Sequence, residues 1–84
     1  MNKIEVNILQ IMADVLEKPV AELNTESTQD NIDTWDSIKH LNLVVAIEEE
    51  FDIVIPIEEV GHLVSFKLIE VIVKEQLENE GKTY

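Results

Sequence analysis

The side chains most suited to chemistry in this 84-residue chain are Asp36 and Ser37, where a long polar stretch gives way to an amphipathic one. A serine there projects its hydroxyl from a helix N-terminus, where backbone N–H groups and the helix dipole favour negative charge. A phosphoester on Ser37 would be well placed. Ordinary helix capping accounts for the same two residues without any chemistry. Other constellations are incomplete. His40 and His62 are the only histidines. No nucleophile–base–orienter set is legible around them, and they read as surface or packing residues. Asp30, Asp33 and Asp36 lie three apart, whereas a calcium loop needs alternate positions and a central glycine. Gly61 and Gly81 are the only glycines, so there is no phosphate-cradling loop. With no cysteine there is no disulfide, thiolate metal site or thiol nucleophile. No metal site and no enzyme activity are expected.

The elements that must hold Asp36 and Ser37 follow from periodicity. Asn2 with Glu5 three residues on predicts a capping box opening a first helix. Ile4, Ile8, Ile11, Met12 and Val15 then recur at helical spacing, widened by Leu9 and Leu16, until Pro19 closes the segment. Residues 17–36 are rich in Asn, Thr, Ser, Gln and Asp. This connection is far longer than the usual ~6 residues, with a possible helical turn near Val20 to Leu23. Asp36 caps the strongest helix, Ser37 to Phe51. It carries two apolar stripes: Leu43, Ile47 and Phe51 with Val44, and Ile38, Leu41 and Val45. One small core cannot bury both equally. Asp52 to Ile57 has strand propensity, but Pro56 and the lack of a partner strand predict an extended linker. A short helix follows over Ile57 to Leu63, ending near Gly61. Ser65 caps a last helix that buries Phe66, Ile69, Ile72, Val73 and Leu77. Residues 79–84 read as a frayed polar tail. The prediction is one all-α domain over 1–84: a small bundle of three main helices plus one short helix, with a long first loop.

Composition narrows the partners. Ile, Leu, Val and Phe supply 31 of 84 residues, enough for a core. The formal charge is −12, with six lysines and no arginine. Nucleic acid and anionic membrane surfaces are therefore disfavoured, and a basic protein surface is favoured. No apolar run approaches the ~18 residues of a membrane span, and no signal peptide is visible. The expectation is a cytoplasmic monomer.

Three stretches carry a family resemblance: Asp33-Thr34-Trp35-Asp36-Ser37-Ile38, then Leu43-Val44-Val45-Ala46-Ile47-Glu48-Glu49-Glu50-Phe51, then Ile55-Pro56-Ile57-Glu58-Glu59-Val60. In this order they resemble the acyl carrier proteins, whose core motif is Asp-Ser-Leu. Here Ile38 replaces the Leu. The resemblance implies that Ser37 carries 4′-phosphopantetheine, a covalent cofactor delivered from coenzyme A by a phosphopantetheinyl transferase. Its thiol would hold acyl cargo as a thioester, which explains how a chain without cysteine does thiol chemistry. The resemblance further implies that Asp36 positions the site. Ile38, Leu41, Val45, Glu48 and Glu49 would meet basic patches on acyl-loading and acyl-transferring enzymes. An ordinary solvated face is expected for at least one of Glu48 to Glu50, because consecutive helix positions point in different directions.

The departures from the family also inform. Lys39 and His40 follow the motif, and Asn42 stands at a commonly acidic position, so the surroundings of Ser37 are less acidic than usual. That counts against a simple assignment to housekeeping fatty-acid synthesis; the sequence does not separate fatty-acid, polyketide and surface-glycan pathways. Thr34-Trp35 in place of Gly-Gly argues against a peptidyl carrier. Trp35 is expected to pin the loop to the core. The competing reading is a cofactor-free acidic helical adaptor that binds a basic partner.

Overall fold

Helix α1 (Lys3–Leu16) starts at the predicted capping box: the Asn2 side chain accepts from the Glu5 N–H, and the Glu5 carboxylate accepts from the Asn2 N–H. The computed structural model describes residues 2–82. Pro19 does not end α1. The chain turns earlier, at Glu17, whose φ of 58° lies in the left-handed region that favours glycine. The buried face of α1 is Ile8, Leu9, Met12, Ala13 and Leu16, with Ile4, Ile11 and Val15 only partly covered. The stripe is thus rotated from the one the spacing suggests, because Ile11 and Val15 line an open furrow between α1 and α2.

One turn of 3₁₀ helix at Val20–Glu22 interrupts the long loop. Its polar residues serve the backbone. The Asn24 N–H donates to Ser27 Oγ, Thr28 and Asn31 exchange bonds from N–H to side-chain oxygen, and Asn31 Nδ2 donates to the Glu26 carbonyl. Leu23, Ile32 and Trp35 anchor the loop in the core. Thr28 and Ser65 form an antiparallel bridge. The Gln29 N–H donates to the Val64 carbonyl at 2.8 Å and the Phe66 N–H to the Ser27 carbonyl at 2.9 Å. The loop is long because it reaches from the end of α1 to the start of the last helix before returning to α2.

Helix α2 (Ser37–Phe51) buries Leu43, Val44, Ile47 and Phe51, the predicted inner stripe. It also buries His40. The linker after it alternates, with Ile53 and Ile55 buried and Val54 exposed. Among the described residues no strand pairs with it. Carboxylates satisfy its backbone instead: Ile55 N–H donates to Glu48 and Val54 N–H to Glu80. Helix α3 (Ile57–Val60) is one turn. Helix α4 (Phe66–Asn79) is capped by Ser65, which accepts from the Leu68 N–H, and buries all five predicted residues. Helix α1 packs against both α2 and α4. Three main helices, one short helix and a long first loop make the chain all-α. Asn79 closes α4, and Lys82 folds back onto the Asp52 carbonyl and carboxylate. Residues 83 and 84 of the expected tail lie outside the described residues. Among the described residues, no helix is long and apolar enough to cross a membrane.

Candidate functional site

Asp36 and Ser37 sit where the loop becomes α2. Asp36 is extended, and its Oδ1 accepts from the Lys39 N–H at 2.8 Å, so its side chain fixes the first turn. Ser37 follows as the first helical residue and is exposed. Two ion pairs brace this junction against the end of α1. Lys39 Nζ lies 2.8 Å from Glu17 Oε1, and Lys18 Nζ lies 2.8 Å from Asp33 Oδ1. Hydrogen bonding to Lys39 holds the Glu17 carboxyl below its ordinary range, and that to Lys18 does the same for Asp33; both lysines are raised in return. The Lys39 cation, which the sequence places near the mouth of α2, is thereby matched by an anion from α1. Thr34 Oγ1 donates to the Leu16 carbonyl at 2.6 Å and ties the same two regions together.

Beside Ser37 lies an open groove of about 300 Å³, lined by Ser37, His40 and Leu41 of α2, by Gln29 of the loop, and by Val60 and Val64. A bulky substituent on the Ser37 hydroxyl has a clear route outward and along this groove. His40 stands at its inner side. Trp35 Nε1 donates to His40 Nδ1 at 3.0 Å, and His40 Nε2 lies 2.7 Å from the Val60 carbonyl. An indole N–H only donates. His40 Nδ1 must therefore accept, which leaves the imidazole proton on Nε2 to donate to Val60. Trp35 is 4% exposed and packs its ring near that of His40, with centroids 6.1 Å apart. It pins the loop, as expected, and it does so through the histidine.

The remaining candidates fall into place individually. Ile38, Leu41 and Val45 are 72%, 59% and 51% exposed along one side of α2. Glu49 is exposed; Glu48 is half-buried, with one oxygen engaged by the linker backbone. Asp30, Asp33 and Asp36 do not converge, since Asp33 pairs with Lys18 and Asp36 caps α2. Among the described residues, no group of three or more His, Cys, Asp or Glu side chains could hold a metal ion. His62 is exposed and lies against Glu59. Two features were not legible in the sequence. The Trp35–His40–Val60 relay joins a loop, a helix and a second helix that no local pattern connects. Ile57 is 86% exposed at the start of α3, a large apolar side chain left in water.

An exposed serine at a helix start, beside an open groove, is an arrangement that can accept a covalent group. The model of the family described as "Phosphopantetheine attachment site" matches residues 7–64, more than half of the chain. The chain belongs to that family, and covalent 4′-phosphopantetheine is its cofactor. The match runs from α1 through the turn before α4 and so contains the groove. No curated protein matches the sequence significantly.

Proposed function

We propose that the chain is an acyl carrier protein whose Ser37 is the attachment serine and which itself catalyses nothing. The observation that carries this is the exposed Ser37 hydroxyl at the capped start of α2, inside the span of the family match. The residues present fit the group: the serine is open, the helix end favours a phosphodiester, and the adjacent groove is unfilled by side chains. When bound, the arm supplies a thiol that holds acyl cargo as a thioester. Loading forms a bond between Ser37 Oγ and phosphorus, breaks the bond to the nucleotide half of coenzyme A, and passes the hydroxyl proton to the transferase. Asp36 keeps the first turn of α2 in place while this happens.

Ile38, Leu41 and Val45, with Glu49 beside them, form the surface for partner enzymes. Their exposure supports this, since three large apolar side chains on one helix side gain from being covered. Glu48 is the lesser contributor, because the linker occupies part of its carboxylate. Basic patches on acyl-loading and acyl-transferring enzymes are the complementary surfaces, and the charge of −12 steers them in. We take the protein to act as a monomer in the cytoplasm, where coenzyme A supplies the arm, within a fatty-acid, polyketide or other specialised acyl pathway. The test is intact mass spectrometry after incubation with coenzyme A and a broad-specificity phosphopantetheinyl transferase. The wild type gains the mass of one arm and Ser37→Ala gains none. No gain overturns the carrier reading and leaves the cofactor-free adaptor; an equal gain in the variant overturns the assignment of Ser37 as the attachment serine.

A further inference from the structure

The position of His40 bears on what this carrier can hold. On α2 the core-facing residues are His40, Leu43, Val44, Ile47 and Phe51. His40 is the first of them, and it is also a wall of the groove beside Ser37. It therefore stands where the groove would open into the core. Its ring is 8% exposed and bonded on both sides, to Trp35 of the first loop and to the last residue of α3. Drawing an alkyl chain from the groove into the core would require breaking both bonds. That would strand a buried indole N–H, an imidazole and a carbonyl, each costly to leave unpaired. Beside Ser37 the groove, at about 300 Å³, is at the small end of ligand pockets; Leu41, Val60 and Val64 line it beside His40, and the Gln29 amide there already donates to the Trp35 carbonyl.

We propose that the cargo of this carrier is a short acyl group that needs no burial in the core, and that His40 sets this limit by latching the first loop to α3 across the way into the core. The inference rests on the phosphopantetheine reading and deepens it. A long alkyl chain left outside would keep its methylenes in water, an unfavourable state that grows with each CH₂. A short acyl group bears little of that penalty. His40 acts here as a specificity-determining residue, through the bonds it makes rather than by any proton transfer.

The experiment uses the full chain, loaded from acetyl-, 3-hydroxybutyryl- and octanoyl-coenzyme A by a permissive transferase, with mass spectrometry confirming each form. Two readouts follow: the rate of thioester cleavage by hydroxylamine, and the NMR signals of Trp35 Nε1–H and the core methyls of Leu43 and Ile47. In the wild type, octanoyl is expected to be cleaved within about twofold of acetyl, with those signals unmoved, because none of its methylenes enters the core. In His40→Leu, which removes both bonds and leaves an apolar side chain, octanoyl cleavage slows by roughly tenfold, the effect of about two methylenes leaving water. Its core methyl signals shift as well. An octanoyl thioester that is protected in the wild type, or shifts in Trp35 and Ile47 on octanoylation, overturns the proposal. So does a folded His40→Leu protein that still leaves octanoyl unprotected. Should His40→Leu not fold, His40→Gln, which keeps only one bond at a time, is read in its place. Failure of any form to gain the arm overturns the carrier reading itself, which sets it apart from failure of the size limit.

Discussion

Trp35 and His40 show how much one hydrogen bond decides at this junction. The indole N–H and the imidazole are both buried, so neither can turn to water when its partner is lost. Trp35→Phe keeps an aromatic ring but strands His40 Nδ1, and stability should fall by about 1–3 kcal/mol. Trp35→Phe with His40→Leu removes both partners, and its loss should be smaller than the sum of the two single losses. Urea unfolding followed by far-ultraviolet circular dichroism measures all three. The exposed ion pair of Glu17 with Lys39 behaves differently. The folded Glu17 carboxyl titrates below its ordinary value because Lys39 bonds the charged form. Its contribution is complete above the unfolded value of 4.5 and is lost as the pH falls through the lower folded value. The difference in melting temperature between wild type and Glu17→Gln should therefore be small at neutral pH and vanish on acidification below 4.5. Solvent and salt screen the pair, so added salt should narrow the difference too.

At the scale of elements, α2 has two jobs on two sides. One side packs Leu43, Val44, Ile47 and Phe51; the other leaves Ile38, Leu41 and Val45 to solvent. A charge on the outer side should leave folding intact and impair recognition. Leu41→Asp is expected to keep the wild-type melting temperature within a few degrees while loading by the transferase loses roughly tenfold in kcat/KM, as for a contact near the centre of an interface. Unchanged loading kinetics would remove Leu41 from the partner surface. Helix α4 depends on its cap. Ser65 bonds the Leu68 N–H and stands in the bridge that holds the first loop. Ser65→Ala should cost about 0.5–2 kcal/mol in denaturant unfolding, the usual range for a lost N-cap.

The whole molecule balances a good core against an excess of like charge. Its radius of gyration of 11.8 Å is that of a folded chain of this length, for which about 12 Å is expected. Five lysines, Lys18, Lys39, Lys67, Lys74 and Lys82, each already face a carboxylate. With 18 acidic residues against six lysines, most carboxylates have no lysine to meet. Their repulsion opposes compaction and weakens with ionic strength. The melting temperature should rise from low to moderate salt, and rise further with millimolar divalent cation. A calorimetric scan that does not move with ionic strength contradicts this. The same field would attract basic surfaces of the proposed partner enzymes over distances comparable with the Debye length.

Local rules made much of this protein readable before any coordinate. The Asn2–Glu5 box, the Asp36 and Ser65 caps and the apolar spacing of α2 and α4 rest on residues three and four apart, so chain position alone determines them. The proposed attachment serine was legible as a candidate for the same reason, since a helix start and its dipole are local properties. What the tertiary structure decided is what distant segments do to each other. It rotated the buried face of α1, because α2 and α4 choose which side is covered. It turned a run of polar loop residues into a brace between α1 and α4, and it gave Glu48 to the linker. It put His40 between Trp35 and Val60, residues 5 and 20 positions away in opposite directions along the chain. No sequence period joins a loop, a helix and a carbonyl of another helix; only the packing of the chain brings their donors and acceptors within 3 Å.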